Sequence, residues 1–139
     1  KRLVGAVYND SASNFVNFIQ RGNRVIYATP QTILNTGTST SYALITMTSF
    51  LPTIARRVVL IIYPMNDSTN NYTRVFTADD NTGAYMTVVA GMTQPSANPY
   101  TIFYSEQELV SAINMYYKVQ ALVGTARAMI EVLGFYVNI

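Results

Sequence analysis

The chain of 139 residues contains no cysteine, no histidine and no tryptophan. The lack of cysteine excludes disulfide bonds and thiolate chemistry. The lack of histidine removes the residue that most often serves as a general acid or base. Together these absences rule out the commonest catalytic triads, which pair a nucleophile with histidine. We therefore expect a protein that is not an enzyme and that holds no cofactor.

Charge is also scarce. Charged residues make up 12% of the chain, against about 25% in a typical soluble domain. The formal net charge is only +2, and the basic residues are scattered along the sequence. A nucleic-acid-binding protein usually concentrates its basic residues in one patch, and a membrane span needs roughly 18 apolar residues in succession. The sequence contains neither a cluster of basic residues nor an apolar run of that length, so we expect no nucleic-acid partner and no membrane insertion.

Half of the residues are apolar, and from residue 24 onward they occur in short β-rich runs separated by turn residues. About eight such runs follow one another, with no long amphipathic helix between them. This pattern predicts an all-β domain over residues 24–139, built as an antiparallel sandwich or barrel. The first 23 residues fit this pattern poorly. Phe15, Phe18 and Ile19 have helical spacing, which predicts a short helical or irregular N-terminal arm over residues 1–23.

Two further local features carry predictions. Residues 105–108 read Ser-Glu-Gln-Glu, the form of a helix capping box, so we expect a helical turn near residues 106–112 and a strand over about 113–122. Gly134 interrupts the apolar run of residues 127–137. A glycine inside a strand often marks a bulge or a close approach of another backbone.

The run RRVVLIIYP at residues 56–64 has no polar residue between Val58 and Tyr63. Because side chains alternate across a strand, both faces of this strand are apolar, and the last strand is similar. No long helix is available to cover the second face, so it needs either a second subunit, which we favour, or the N-terminal arm. The candidate interface residues are Val59, Ile61, Tyr63, Met129, Leu133 and Phe135.

Acidic and amide side chains offer few candidate sites. Glu131 is a lone acid in an apolar strand, and we expect it to pair with Arg127 or with an arginine of a neighbouring chain. Asp67 and the pair Asp79–Asp80 could offer oxygen ligands to Ca²⁺, but their spacing matches no dedicated loop, so we expect no metal site. Tyrosine beside amide side chains suits sugar binding, although Asn and Asp also simply form turns. The candidate receptor or glycan residues are Asp67, Asn70, Asn71, Tyr72, Asp79, Asp80, Asn98 and Tyr100.

Two stretches resemble a known family. PQTILNTGTSTSYALITMTSFLPTIARRVVLIIYP, from Pro30 to Pro64, resembles the opening strands of β-sandwich domains in phage fibre proteins and in proteins that decorate phage heads or tails. MYYKVQALVGTARAMIEVLGFYV, from Met115 to Val137, resembles their closing strands. The resemblance covers residues from about 30 to 138, and it implies that residues 1–23, which lie outside it, are a stalk end or an attachment segment. It implies a jelly-roll-like head, commonly trimeric, that is displayed on a virion.

The sequence thus predicts a non-enzymatic virion surface protein, a fibre head or a capsid or tail decoration domain. Its expected partners are copies of itself in a homotrimer, other virion proteins, and a host protein or glycan. One alternative is a carbohydrate-binding module of an extracellular protein, which would be a monomer with a row of exposed tyrosines. Another is a structural capsid or pilus-like subunit whose edge strands are completed by neighbours.

Overall fold

The computed structural model describes residues 16–68, 71–92, 101–109 and 113–137. Every helix or strand in these ranges is a β-strand, so the all-β prediction is confirmed. The strands number nine in the described ranges, one more than expected. They are β1 (Phe18–Arg21), β2 (Arg24–Gly37), β3 (Ala43–Thr46), β4 (Ala55–Asn66), β5 (Tyr72–Ala78), β6 (Thr87–Met92), β7 (Phe103–Glu108), β8 (Asn114–Ala121) and β9 (Ala126–Val137).

The strands form two antiparallel sheets, which pack face to face. Sheet I has the order β1-β2-β9-β4-β7, and sheet II has the order β3-β8-β5-β6. From β2 onward the chain changes sheet at every connection except that between β5 and β6. This alternation is the strand order of a jelly roll, the double-sheet form of the Greek key. The predicted jelly-roll-like sandwich is therefore confirmed.

The core lies between the inner faces of the two sheets. Val58, Leu60 and Ile62 of β4 point into it and are almost completely buried. Removing each such side chain from water contributes roughly 1.5–3 kcal/mol. At one end of the core the Tyr27 ring lies 5.9 Å from the Phe135 ring, and the Tyr27 hydroxyl donates a hydrogen bond to the Phe50 carbonyl. One of the two apolar faces that the sequence predicts for β4 thus lines the core.

The predicted helical turn at residues 106–112 is wrong for its described part, because residues 106–108 belong to β7; residues 110–112 lie outside the described residues. β7 pairs with β4 from Ile62↔Phe103 to Arg57↔Glu108. Within β7 the side chain of Gln107 points inward, and its amide oxygen accepts a hydrogen bond from the Thr77 hydroxyl at 2.9 Å. Strand pairing and a buried hydrogen bond therefore override the local capping signal. The strand predicted over 113–122 is confirmed as β8.

The N-terminal prediction also needs correction. Residues 18–21, placed in a helical or irregular arm, form β1 and pair with β2 through a turn at Gly22 and Asn23. Gly22 has a φ of 61°, a conformation that glycine adopts without steric cost. Sheet I therefore includes residues 18–21, while residues 1–15 lie outside the described residues.

A bulge in β9 changes which of its side chains face the core. Val59 of β4 pairs with Gly134, but the next residue, Leu60, pairs with Val132. Leu133 is the extra residue, so the inward-outward alternation reverses on passing it. Gly134 itself lies against the main chain of Val25, where a β-carbon would overlap the carbonyl oxygen. Both structural roles expected of this glycine are confirmed.

Candidate functional site

The outward side chains of β4 and its neighbours form one candidate site, which we call the outer face of sheet I. Val59 and Ile61 point to this side, away from the core, yet they are only 4% and 6% exposed. Tyr63, the third outward residue, is half-buried. The chain itself therefore already removes most of this apolar row from water.

The position of β4 in the sheet explains much of this burial. β4 lies between β9 and β7, so the middle of β4 has a neighbouring strand on both sides. Ile61 sits between Tyr104 of β7 and Glu131 of β9, and Val59 lies one step along the same row, beside Glu106. Side chains directly opposite each other on one face of a sheet approach closely. Long polar and aromatic side chains thus flank the aliphatic ones.

Glu131 is held within the chain rather than by an arginine. Its Oε2 accepts a hydrogen bond from the Tyr63 hydroxyl at 2.8 Å, and its Oε1 accepts one from the Thr32 hydroxyl at 3.2 Å. The expectation that Glu131 pairs with Arg127 is therefore wrong. Burial, together with the hydrogen bond to the Glu131 carboxylate, raises the pKa of Tyr63 to about 12. The lone acid of β9 is a fixed hydrogen-bond acceptor on this face.

A second polar group lies farther along the same face. Arg57 binds Glu108 at 2.5 Å and Glu106 at 3.1 Å, and the Tyr136 hydroxyl donates to Glu106 at 3.0 Å. The guanidinium carbons of Arg57 and Arg24 lie 5.5 and 5.7 Å from the Tyr136 ring centroid. Hydrogen bonding to Glu108 is the largest of the effects that raise the pKa of Arg57. At this end of the face one guanidinium is thus shared by two carboxylates.

The structure separates the three candidate interface residues of β9. Met129 and Leu133 are half-buried, and Met129 pairs with Tyr63 across the outer face. Phe135 is wrong as an interface residue, because its side chain is completely buried in the core. Strict alternation places Phe135 on the same face as Leu133, but the bulge at Leu133 reverses the pattern of inward and outward side chains. One extra residue in β9 is therefore enough to move Phe135 from the predicted outer face to the core.

Two exposed apolar side chains at the margins of this face were missed. Tyr104 on β7 is 71% exposed, and Ile19 on β1 is 64% exposed. Ile19 and Leu133 line a groove of about 290 Å³ together with Arg21, Arg24 and Ile26. The period-2 alternation of residues 100–104 could have identified Tyr104. Nothing could have identified Ile19 once residues 1–23 were interpreted as a helical or irregular arm.

The described candidate receptor residues do not form one surface. Asp67 lies just before β5, and residues 79–83 lie just after it, so the seven residues of β5 separate them by roughly 20 Å. Asn71 and Tyr72 belong to the first end, and Tyr72 is exposed. Three candidates, Asn70, Asn98 and Tyr100, lie outside the described residues.

The loop carboxylates organise turns. Asp67 Oδ1 accepts a hydrogen bond from the Thr125 amide at 2.6 Å, which joins two loops at one end of the sandwich. Asp80 Oδ1 accepts bonds from the Thr82 amide at 2.8 Å and the Ala84 amide at 3.0 Å. These hydrogen bonds lower the pKa of both carboxyls. Asp79 is buried. The turn-forming interpretation therefore accounts for the geometry of Asp67 and Asp80.

The outer face of sheet II is a second candidate surface, and sequence reasoning missed most of it. Lys118 of β8 lies between two rings, with its Nζ 4.5 Å from the Tyr42 centroid and 4.7 Å from the Phe76 centroid. Arg74 and Tyr72 are exposed on β5, beside it. The alternation of YTRVFTA, in which Thr73, Val75 and Thr77 are buried, is the signal that could have revealed this face.

No protein-family model matches the chain, and no curated protein sequence matches it. Among the described residues, no group of three or more acidic side chains is arranged to hold a metal ion. The described part of the chain also contains no helix that is long and apolar enough to cross a membrane.

Proposed function

We propose that the chain is a non-enzymatic virion surface protein, a fibre head or a capsid or tail decoration domain, that assembles as a trimer. The outer face of sheet I is the proposed subunit contact. The host-facing part of the molecule is then the opposite side of the sandwich and its loops, which we propose contact a host receptor or glycan.

The observation that carries the assembly proposal is the pairing of charge on the outer face of sheet I. All three glutamates of the face are bound within the chain: Glu131 by Tyr63, and Glu106 and Glu108 by Arg57. A subunit interface combines an apolar centre, poor in free charge, with a polar rim. The half-buried apolar residues of β4 and β9, flanked by this fixed network, match that description.

Exposed apolar area at the margins adds to the argument. Tyr104 and Ile19 are mostly exposed and lie at opposite edges of sheet I, on β7 and β1. Aromatic side chains are enriched at protein interfaces because they bury a large area at a low entropic cost. Since Val59 and Ile61 are already covered, we infer that the partner contacts the surrounding residues rather than these two.

The viral assignment is supported by the strand order and by the sequence resemblance. Jelly rolls of this kind occur in viral capsid and lectin domains. A fold alone does not determine function, so the resemblance of the opening and closing strands to phage fibre and decoration domains provides the link to a virion.

Static light scattering of the purified chain at micromolar concentration tests the proposal. We expect a stable species whose molar mass is three times that of the chain. A soluble monomer at that concentration would reject the trimer and favour the carbohydrate-binding module. Aggregation of the isolated chain would instead favour a subunit whose edge strands are completed by its neighbours.

A further inference from the structure

The strands of sheet II carry positive charge without a matching acid, and the Asp80 carboxylate, in the loop after β5, lies near Tyr42 and Lys118. The strands β3, β5, β6 and β8 contain two cations, Arg74 and Lys118, and no aspartate or glutamate. By contrast, the three glutamates of the described strands all lie on sheet I. A surface patch with charges of one sign attracts ligands of the opposite sign, so the outer face of sheet II favours the binding of an anionic ligand.

Arg74 is the more available of the two cations. It is exposed, and its cross-strand neighbours are Ala90 on β6 and Gln120 on β8, neither of which carries a charge. No ion pair of Arg74 occurs among the described residues, where both salt bridges belong to Arg57. Its guanidinium offers a planar fork of donors that matches the two oxygens of a carboxylate.

The space beside Arg74 is a groove of about 320 Å³. Its volume is at the lower limit of small-molecule sites, which begin at about 300 Å³. The small side chain of Ala90 lies next to Arg74, the Tyr72 ring is 61% exposed, and Leu122 is 95% exposed. The lining residues are Tyr72, Arg74, Ala90, Gln120, Ala121 and Leu122.

These groups complement a sugar ring that bears a carboxylate. A pyranose ring has one apolar face, which packs on an aromatic ring such as that of Tyr72. Its hydroxyls pair with an amide, which both donates and accepts, as Gln120 can. The carboxylate is the remaining group, and Arg74 is its complement.

We propose that this groove binds a carboxylate-bearing saccharide, with the carboxylate on Arg74, the apolar sugar face on Tyr72, and hydroxyls on Gln120. The inference rests on the proposed role as a virion surface protein, because it names the class of host glycan that such a protein contacts. Sheet II is the layer opposite the proposed assembly face, so the groove stays open in a trimer.

Ligand-observed and amide-shift NMR titrations of the whole chain test the site. The probes are sialyllactose and a glucuronic acid disaccharide as carboxylated sugars, lactose as the neutral sugar, and a sulfated disaccharide. We expect at least one carboxylated probe to bind and to shift the amides around Arg74 and Gln120, with lactose at least tenfold weaker. Equal binding of lactose, preference for the sulfated probe, or no binding of either acid at about 10 mM would overturn the proposal.

Variants separate the groove from general charge effects. We expect Arg74→Ala to weaken binding at least tenfold, because a charge-assisted bond is lost, and Gln120→Ala to weaken it several-fold. Arg56→Ala, which removes an exposed arginine of sheet I, is the matched control and should bind as the parent does. Equal losses for Arg74→Ala and Arg56→Ala would contradict the site.

The same samples distinguish a failure of this inference from a failure of the proposed function. Light scattering of Arg74→Ala should give the same mass as the parent, because Arg74 lies on the sheet opposite the assembly face. If the parent is a monomer and binds the acidic sugar, the trimer is rejected while the binding site in the groove is supported. A trimeric parent that binds no acidic sugar would reject the groove and retain the assembly.

Discussion

Gly134 of β9 lies so close to Val25 of β2 that a β-carbon on Gly134 would overlap the Val25 carbonyl oxygen and lie 2.8 Å from the Ile26 Cδ1 atom. Gly134→Ala should therefore force the two strands apart. We expect the free energy of unfolding to fall by about 3 kcal/mol, at the upper end of the usual cost of overpacking because a main-chain atom occupies the space, as measured by urea denaturation.

Gly22→Ala is the control for this effect. A β-carbon at Gly22 would contact nothing within 4 Å, so only the positive φ of 61° opposes it. The expected cost is roughly 1 kcal/mol. A loss for Gly134→Ala no larger than that for Gly22→Ala would contradict the close approach of β9 to β2.

The bulge at Leu133 leads to a second prediction. Phe135 is fully buried in the core, whereas Leu133 is half-buried on the outer face. Phe135→Ala should lower the free energy of unfolding by about 3–5 kcal/mol, and Leu133→Ala by much less. Urea denaturation at a fixed protein concentration measures both losses in the free energy of unfolding. A larger loss for Leu133→Ala than for Phe135→Ala would contradict the bulge and favour strict alternation along β9.

These two residues also illustrate how far the sequence could be interpreted. Alternation of apolar residues predicted most of the strands and divided the side chains of β4 into two apolar faces, but it could not tell which face points inward. It could not place the extra residue of β9, because a bulge depends on the partner strands, and every side chain beyond it was assigned to the wrong face. Gly134 signalled an irregularity but not its position relative to Leu133.

The prediction of a helical turn at residues 106–112 failed for a related reason. Ser105 and Glu108 satisfy a local rule, yet β7 gains a ladder of hydrogen bonds from β4 and buries Gln107. The β4 partners lie more than 40 positions away in the sequence, and Thr77, which binds Gln107, lies 30 positions away. No local pattern reports such contacts. The same holds for Glu131, whose partners Tyr63 and Thr32 lie 68 and 99 positions away in the sequence.

Tyr63 should make the protein sensitive to alkaline pH. Its pKa is raised to about 12 in the folded chain by burial and by Glu131, from about 10 when unfolded. The folded state therefore holds this proton more tightly. Stability from this group is complete below pH 10 and is lost as the pH rises from about 10 to 12.

Tyr63→Phe removes this titration. Chemical denaturation between pH 9 and 12 should show a shallower decline in stability for Tyr63→Phe than for the parent. Tyr72→Phe, at an exposed position, is the matched control for losing one tyrosine. A decline that is equally steep in Tyr63→Phe and the parent would contradict the Tyr63–Glu131 contact.

Asp80 is expected to stabilise the loop between β5 and β6. Its carboxylate accepts hydrogen bonds from the Thr82 and Ala84 amides, which lower its pKa. The stability that Asp80 contributes is present above its unfolded pKa of about 3.9 and is lost as the pH falls through its folded pKa. Asp80→Ala should thus lower the Tm by a few degrees at pH 7, with the difference shrinking below pH 4. A difference that is constant from pH 7 to pH 3 would show that the carboxylate charge is not involved.

The central claim is that the outer face of sheet I joins subunits, and Tyr104 tests it most directly. Native mass spectrometry should find a trimer for the parent and for Tyr85→Glu, a control at a tyrosine that is 64% exposed in the loop before β6. Tyr104→Glu, which places a charge at a position 71% exposed on the proposed contact, should yield monomer. A trimer that survives Tyr104→Glu but dissociates in Tyr85→Glu would place the contact elsewhere, and a monomeric parent would contradict the account altogether.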